Sequence, residues 1–341
     1  MPASGFGVAK KVARPERVRE LPETMRAAAI DAFGGPDTLS IHVLPVPPIA
    51  PDDVLIATHT AGVAPWDAEM REGWSPTGLS PRFPLVLGTD GSGTIAVVGS
   101  KVRSFAVGDR VYAASYPSGG FYAEYTAVSA AHVSHLPNGV DLEHAGAMVN
   151  GLTALPGIDD ALALQSGEAV AIHGASGSVG TLALQFAKLR GARVLALASG
   201  TEGVALVRRL GADEAIDGKS GDIEAAVRAF APGGLDAALI LAGGPAQKPL
   251  LSLVRAGGRV AYPNGVEPAP QPRPGLRVIA YNGVDGAREF QRFNHAAEAA
   301  HLKVPIAASF ELADAAKAHE RLATRPVLGK IVLYIRSVKA K

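Results

Sequence analysis

The stretch HGASGSVG at residues 173–180 decides the fold of this chain. It places Gly174, Gly177 and Gly180 between the apolar run EAVAI and the helical segment TLALQFAKLRGA. A strand that ends at such a turn and leads into a helix presents unpaired backbone N–H groups, which suit a pyrophosphate. Glycine lets the phosphates approach the main chain, and the last glycine lets the helix pack on the strand. The stretch therefore predicts a dinucleotide-binding turn.

Six short apolar runs after residue 150 alternate with segments of helical period. The runs are EAVAIHG, ARVLALAS, DEAID, LDAALILAG, GRVAYPNG and LRVIAYNG. Helices are predicted over 179–190, 202–210 and 222–230. Because the runs are apolar throughout rather than alternating, they are typical of parallel strands that are covered on both faces. The pattern predicts the α/β class, with a doubly wound parallel-sheet Rossmann domain over 151–284.

Residues 25–150 follow a different pattern, in which short alternating runs are separated by glycine and proline. Examples are DDVLIATHTAGV, GSGTIAVVG and FYAEYTAVS. Strands at this spacing predict a mostly-β, barrel-like domain. Beyond residue 285, two helical segments precede the strand KIVLYI, and we expect this tail, 285–341, to fold back and complete the barrel-like domain. Residues 1–24 are interpreted as an N-terminal extension.

The overall composition excludes several classes of protein. The chain has 341 residues, a net charge of +1 and no cysteine. A net charge this close to zero does not indicate the excess of basic residues that is typical of nucleic-acid-binding proteins. The lack of cysteine excludes disulfides, thiolate zinc sites and cysteine nucleophiles. No apolar stretch approaches the roughly 20 residues of a membrane helix, and the N-terminus lacks the apolar segment of a secretory signal. We therefore expect a cytoplasmic protein with no nucleic-acid or membrane partner.

The end of the second apolar run bears on the type of dinucleotide. It reads VLALASGTEG, with Ala198 and Ser199 where an NAD enzyme carries an acid for the ribose 2′-hydroxyl. The absence of that acid favours NADP(H) as the cofactor and leaves NAD(H) possible. Ser199 and Thr201 can donate hydrogen bonds to a 2′-phosphate. However, no Lys or Arg follows them directly, and the negative charge of Glu202 disfavours a phosphate.

From residue 25 to residue 335 the chain resembles the zinc-free medium-chain dehydrogenases/reductases of the quinone oxidoreductase (zeta-crystallin-like) group. The motifs that carry the resemblance are AGVAPWDAEMREG (61–73), LGTDGSGTIAVVGSKVRSFAVGDRVYA (87–113), GGFYAEYTAV (119–128), GLTAL (151–155), the 173–180 turn and LGKIVL (328–333). The resemblance implies a GroES-like catalytic domain beside the Rossmann domain, and a homodimer that forms through the edge of the Rossmann sheet. It also implies hydride transfer from nicotinamide C4 to a quinone or an α,β-unsaturated carbonyl compound.

The zinc branch of this superfamily carries cysteine and histidine ligands that this chain lacks. Their places hold Ala64 and Pro65, then Thr89 and Asp90, and no thiol lies near Asn150. We therefore reject zinc-dependent alcohol oxidation and expect no metal. The Tyr-x-x-x-Lys pair of short-chain reductases and the G-x-S-x-G nucleophile elbow of hydrolases are also missing from the sequence.

The chain departs from the quinone oxidoreductase pattern at several positions. Members of the group usually carry Asn where Ala64 stands, and often a Tyr in the cleft where Glu69 stands. One subgroup places a phosphate-binding Lys and Tyr where Gly203 and Gly218 stand, whereas Arg325 matches a phosphate-contacting Arg near the C-terminus. These departures leave open an alternative function: an NADPH-binding structural or regulatory protein with little turnover.

The resemblance implies a site between the two domains. Tyr122 is the candidate hydrogen-bond or proton donor to the acceptor oxygen, and Thr153 is the second catalytic candidate, beside the nicotinamide. The candidate substrate-lining residues are Pro65, Trp66, Glu69 and Trp74. The candidate cofactor-binding residues are Thr153, Gly174, Ala175, Ser176, Gly177, Ser178, Val179, Gly180, Ser199, Thr201, Leu241, Ala242, Asn264 and Arg325.

Several other polar residues are interpreted as structural. His173 ends a strand beneath the helix, and we interpret it as a hydrogen-bonded core histidine rather than a catalyst. Asp67 and Asp90 are expected to cap turns or to pair with Arg71. The sequence therefore offers no obvious general acid, and we expect that water can supply the proton.

Overall fold

A computed structural model describes residues 21–75, 78, 81–116, 118–324 and 326–336. Most of the N-terminal extension, and the candidate cofactor residue Arg325, lie outside these described residues. Within them, no helix is both long enough and apolar enough to cross a membrane. The molecule consists of a mostly-β part and a doubly wound α/β part, which is the predicted fold class.

The mostly-β part begins the described chain. Its elements are β1 (Thr24–Ile30), β2 (Ser40–Pro45), β3 (Asp53–Val63), α1 (Pro65–Arg71), β4 (Leu85–Val86), β5 (Asp90–Val98), β6 (Arg110–Ala114), β7 (Tyr125–Ser129), β8 (Val133–His135) and α2 (Leu142–Ala147). Strand β3 is the centre of this part, because it pairs antiparallel with both β5 and β7. Strands β2, β1 and β4 form a separate small sheet. Buried aliphatic and aromatic side chains from both sheets fill a single core.

The α/β part follows directly along the chain. Its elements are α3 (Gly151–Pro156), the π-helical turn Gly157–Ala161, β9 (Ala169–His173), α4 (Ser178–Leu189), β10 (Arg193–Ala198), α5 (Gly200–Arg209), β11 (Glu214–Asp217), α6 (Ile223–Phe230), β12 (Leu235–Ile240), α7 (Gln247–Ser252), β13 (Val254–Pro263) and β14 (Arg277–Tyr281). All six predicted strands and all three predicted helices are present, with ends that differ from the prediction by a few residues. The six strands form one parallel sheet in the order β11-β10-β9-β12-β13-β14.

The burial of this sheet explains why its central strands are apolar, whereas the edge strands β11 and β14 are partly exposed and carry Glu214, Asp217 and Arg277. One face packs on α4 and contributes Val170 and Ile172 to a core with Phe186. The other face packs on α6 and α7 and contributes Ala171 to a second core with Val227. Both faces of β9 are therefore buried. The strands that follow β9 along the chain add first to one side of it and then to the other, so its carboxyl end is the topological switch point of the sheet. Ligands of doubly wound sheets bind at this point.

The C-terminal segment returns to the mostly-β part. Its elements are α8 (Ala287–Ala299), β15 (Ile306–Glu311), α9 (Ala315–Ala323) and β16 (Lys330–Tyr334). Strand β16 pairs antiparallel with β3 and parallel with β15, so the tail extends the sheet of the first part. Gly329 also forms a bridge with Gly177 at the start of α4. The division into domains 25–150 with 285–341, and 151–284, remains our proposal.

Candidate cofactor and substrate site

The glycine turn lies at the carboxyl end of β9, in the middle of the parallel sheet. Gly174 has a φ of +82°, a conformation that favours glycine. Gly177 caps α4, and no side chain accepts a hydrogen bond from the first turn of the helix. The bond from Thr181 N to Gly177 O, 2.9 Å long, joins the first turn to the cap. The preceding amides of the helix, at 178–180, have no partner within it, so this end carries partial positive charge.

The space in front of these amides fits a pyrophosphate. A Cβ on Gly180 would lie 2.3 Å from Gly174 O, so the helix packs directly on the turn and tolerates no side chain there. A Cβ on Gly177 would meet only Gly174 O, at 3.4 Å. Gly180 therefore allows the close packing of helix on strand, and Gly177 leaves room for phosphates to approach the main chain.

Three of the other candidate cofactor residues lie against this turn. A Cβ on Gly174 would come within 3.2–3.3 Å of Ala242 and Leu241, which follow β12. The backbone N–H of Ser199 donates to Ser176 Oγ over 3.1 Å, which connects the turn to the end of β10. The sequence prediction thus selects residues that the sheet topology brings together.

The serines of the turn have their side chains engaged inside the protein. Ser176 is buried, and its hydroxyl accepts the bond from Ser199. Ser178 Oγ is bonded to the side-chain amide of Asn150 over 2.7 Å. Any phosphate contact from these two residues would therefore use the main-chain amides, as the helix-terminus argument requires.

Thr153 and Asn264 lie near the carboxyl ends of β13 and β14, on the far side of the turn. The hydroxyl of Thr153 lies close to Gly283, where a Cβ would approach it to 2.5 Å. Asn264 is exposed, and its amide donates to Asn282 Oδ1 over 2.8 Å. Thr201 is exposed in the first turn of α5, beside the end of β10.

Three neighbouring aromatic side chains, Trp66, Trp74 and Tyr116, form what we define as the aromatic wall, beside the loop that follows β13. The ring centroids of Trp66 and Trp74 are 5.5 Å apart, and those of Trp66 and Tyr116 are 6.2 Å apart. The six-membered ring of Trp66 lies against Gly265, the residue after Asn264, where a Cβ would be 3.0 Å away. The wall therefore reaches the nicotinamide side of the predicted cofactor site.

Helix α1 positions this wall and the remaining substrate-lining candidates. Pro65 is its first residue and is exposed, Trp66 follows it, and Glu69 lies one turn further on the exposed face. The backbone N–H of Trp74 folds back to donate to Glu69 O over 2.9 Å. Pro65, Trp66, Glu69 and Trp74 therefore share one short helix-turn segment, as the resemblance implies.

Two residues at or near the positions of the zinc ligands, Asp90 and Asn150, contact the ammonium group of Lys330. Lys330 Nζ lies 2.9 Å from Asp90 Oδ2 and 3.3 Å from Asn150 Oδ1. Ala64 has no atom that can bind zinc, and an ammonium group beside Asp90 would repel a cation. Within the described part of the chain, no cluster of three or more His, Cys, Asp or Glu residues could hold a metal ion. These donors do not fit a catalytic zinc.

Comparisons with known proteins agree with this arrangement. Residues 50–138 match the family model of the alcohol dehydrogenase GroES-like domain, and residues 210–333 match that of zinc-binding dehydrogenases. The quinone oxidoreductase of Lama guanicoe is 32% identical over 327 residues, which cover 92% of this chain and 98% of that protein. This chain belongs to the medium-chain dehydrogenase/reductase family, among its quinone oxidoreductase-type members.

Solved structures give the same result. The quinone oxidoreductase of Coxiella burnetii superposes with a TM-score of 0.80 at 27% identity, over 92% of this chain and 100% of that one. A mycobacterial protein solved in complex with NADPH has a TM-score of 0.78 at 26% identity, over 91% of this chain and 100% of that one. This medium-chain reductase is therefore an NAD(P)H-dependent oxidoreductase.

Tyr122 does not lie on the substrate side of this medium-chain reductase. Its side chain is 0% exposed, and its ring packs so closely on Gly88 that a Cβ there would be 2.5 Å away. The hydroxyl donates to Asp67 Oδ2 over 3.3 Å and lies 3.1 Å from His319 Nε2. Because a substrate cannot reach this hydroxyl, we withdraw Tyr122 as a proton donor. Tyr122 lies in the loop before β7, with its ring in the core of the mostly-β part, and an aromatic side chain is buried in this way more often than it is catalytic.

The polar partners of Tyr122 form a buried chain of hydrogen bonds. Arg71 Nη1 donates to His319 Nδ1 over 2.8 Å, so the imidazole is neutral and its Nε2–H faces Tyr122. Burial lowers the pKa of His319 to about 3, and the charge of Arg71 adds to the shift. Burial also raises the pKa of Asp67 to about 7, with a further contribution from Asp90. Asp67 accepts from Ala64 N over 2.8 Å, so it caps α1 as expected, but it contacts Tyr122 rather than Arg71.

Sequence reasoning missed two features of the site. Tyr116 belongs to the aromatic wall, and its only signal in the sequence is that it is an aromatic residue at the start of a loop rich in Ser and Gly. His173 is buried as expected, but neither ring nitrogen meets hydrogen-bond geometry, so it is not the hydrogen-bonded histidine we expected. Burial lowers the pKa of His173, partly opposed by the backbone of Gly243.

Proposed function

We propose that this medium-chain reductase transfers hydride from NADPH, and less readily from NADH, to a quinone or an α,β-unsaturated carbonyl compound. One observation supports the proposal: the glycine turn at the start of α4 is open at Gly177, and Trp66 of the aromatic wall lies against Gly265, next to the candidate nicotinamide residue Asn264. A flat acceptor held by that wall would lie on the nicotinamide side of the predicted cofactor site. The names of the relatives, quinone oxidoreductases, support the choice of acceptor.

The residues of the chain would divide the work in the following way. When bound, the cofactor supplies hydride at nicotinamide C4. The main-chain amides at 178–180 would bind its pyrophosphate, and Leu241, Ala242, Thr153 and Asn264 would orient its nicotinamide end. Trp66 and Trp74 would pack on the acceptor and exclude water from one side of it. Since Tyr122 is buried, we propose that solvent water supplies the proton to the acceptor oxygen.

The preference for NADPH rests on the end of β10, which carries no acid of its own. Ser199 and Thr201 there offer hydroxyl groups to a 2′-phosphate. However, the neighbouring strand places Asp217 in register with Ala198, and its carboxylate accepts from Gly200 N over 3.2 Å. This negative charge opposes a phosphate, so we expect measurable use of NADH as well.

The decisive experiment follows the oxidation of NADPH and of NADH in the presence of 1,4-benzoquinone, 9,10-phenanthrenequinone and a simple enone. We expect turnover with at least one acceptor and a higher kcat/KM for NADPH. Equal or better use of NADH would refute the cofactor preference. Tight cofactor binding without oxidation by any acceptor would refute the reductase and favour the structural or regulatory alternative.

We also propose that this protein works in the cytoplasm as a homodimer. The parallel sheet ends at β14, an edge strand on which a second copy could continue the sheet. Analytical ultracentrifugation at several protein concentrations tests the dimer, and a monomer throughout would refute it.

A further inference from the structure

Glu69 distinguishes this chain from the quinone oxidoreductases that it resembles, which often carry Tyr at this place in the cleft. The structure places Glu69 on the exposed face of α1, in the same helix-turn segment as Trp66 and Trp74. A neutral ligand that covered this carboxylate would remove water from the charge without pairing it. A cationic ligand would pair it.

The three rings of the aromatic wall are open to a ligand. Trp66, Trp74 and Tyr116 are 37%, 42% and 47% exposed, which is high for large aromatic side chains. Trp66 packs against Trp74 with the ring planes 35° apart and meets Tyr116 at 61°. The rings therefore present more than one aromatic face toward the cleft, and an aromatic face attracts a cation through its negative electron density.

The charges around the wall are negative. The carboxylate of Glu69 lies close enough to Tyr116 that it contributes, after burial, to raising the pKa of that phenol. Partial burial and the nearby Glu72 raise the pKa of Glu69 itself. Arg71, on the same helix, is buried; it binds Gly34 O and His319 and pairs with the carboxylate of Glu72. An incoming cation would therefore meet Glu69 rather than Glu72, whose charge Arg71 already compensates.

We propose that the aromatic wall and Glu69 together bind a positively charged group of the substrate, such as a quaternary or protonated amine. This inference rests on the proposed function for the identity of the reacting group, and adds that the preferred acceptor is cationic. A carboxylate beside aromatic rings is the chemistry that recognises organic ammonium ions. An anionic acceptor of the same shape would be repelled by Glu69, and a neutral one would leave its carboxylate unpaired.

Intrinsic fluorescence reports on this site directly, because the two tryptophans of the chain are Trp66 and Trp74. We would titrate the full-length protein, without cofactor, with benzyltrimethylammonium, phenylmethanesulfonate and benzyl alcohol. These probes share one ring and differ in charge. We expect the cation to bind at least about fivefold more tightly than the anion, the scale of one exposed cation–π contact. Equal binding of the cation and the anion would overturn the proposal.

Two glutamate variants separate the local charge from the net charge of the protein. Glu69→Gln keeps the shape of the exposed side chain and should reduce the preference for the cation to the part that the aromatic rings supply. Glu214→Gln is the matched control, because Glu214 is exposed at the opposite, amino-terminal edge of the parallel sheet and should leave the preference unchanged. A preference that is undiminished in Glu69→Gln, or that is reduced equally in Glu214→Gln, would overturn the proposal.

Turnover distinguishes this inference from the proposed function. The kcat/KM of a naphthoquinone that carries a trimethylammonium group should exceed that of the matching sulfonate, and Glu69→Gln should reduce the difference mainly through KM. If neither quinone is reduced while the cationic probe still binds selectively, the proposed reaction is wrong and the binding site stands. If both quinones are reduced equally well, the binding site is wrong.

Discussion

The ion pair between Asp90 and Lys330 leads to a quantitative prediction. Their side chains are 5% and 3% exposed, and the two charged atoms are 2.9 Å apart. Neither carboxylate oxygen of Asp90 meets hydrogen-bond geometry, so the lysine ammonium is its main compensation. Lys330→Met removes that compensation and leaves a buried, unpaired carboxylate. We expect the free energy of unfolding to fall by about 3–5 kcal/mol, the usual cost of breaking a buried pair.

The double variant tests whether charge is the cause of this loss. Asp90→Asn together with Lys330→Met leaves no charge in the site and keeps the volumes similar. Replacing both members of a buried pair is often neutral, because their desolvation cost disappears with them. We therefore expect the double variant to lie within about 1–2 kcal/mol of the wild type, which makes it more stable than Lys330→Met.

Urea denaturation, followed by far-UV circular dichroism at neutral pH, measures all three proteins. The reasoning would be refuted if Lys330→Met lost less than about 1 kcal/mol, the scale of an exposed ion pair. It would also be refuted if the double variant were as unstable as Lys330→Met, because packing by the lysine stem would then account for the loss.

Three further predictions concern buried groups and the glycine turn. Folding raises the pKa of Asp67 from 3.8 to about 7, because the buried carboxyl group favours its protonated form. Protonated Asp67 therefore adds about 4 kcal/mol to the free energy of unfolding below pH 3.8, and this contribution is lost as the pH rises toward 7. The pKa of His319 is lowered from 6.5 to about 3, so its contribution is present above pH 6.5 and is lost on acidification. Between pH 7 and 4, unfolding free energies from urea titrations should therefore fall more than in the wild type in Asp67→Asn and fall less, or rise, in His319→Gln. The same pH dependence in both variants would contradict these assignments. Gly177→Val should abolish NADPH binding measured by calorimetry, because the valine side chain would project in front of the α4 amides. The control is Gly233→Val, where a Cβ meets no atom, and it should bind NADPH normally. Equal binding by the two variants would exclude the pyrophosphate site. Tyr122→Phe should keep kcat within about twofold while it lowers the free energy of unfolding by about 1–3 kcal/mol, and a hundredfold loss of kcat would instead restore the hydroxyl as a catalytic group.

The fold could be predicted where local sequence determines structure. The central strands β9, β10 and β12 are short apolar runs, because both faces of the sheet are covered there and nearly every side chain is buried. The turn at 173–180 could be predicted for a similar reason, since Gly180 is required by a contact with Gly174, only six residues away. The same local signals predict the cofactor site, because its proposed main contacts are backbone amides.

The side-chain network could not be predicted, because its members are far apart in sequence. Asp90 and Lys330 are brought together only when β16 pairs beside β3, and nothing near either residue indicates the other. Tyr122 was misassigned for a related reason. An aromatic residue in a loop beside a sheet can face a cleft or the core, and here His319 of α9 lies against its hydroxyl. The local sequence pattern shows which residues alternate along a strand, but it does not show which distant residues pack against them.

The pairing of β16 with β3 has a consequence for how the protein is made. Strand β3 is synthesised before the six strands of the parallel sheet, but its partner residues Ile331–Tyr334 are synthesised after them. The backbone of Gly329, which donates to Ser176 O, is made with these partner residues. One edge of β3 therefore stays unpaired until β16 has been made, a state in which nascent chains are open to wrong pairing and to chaperones. A polypeptide interrupted before β16 would lack both this strand pairing and the contact between Gly329 and the glycine turn.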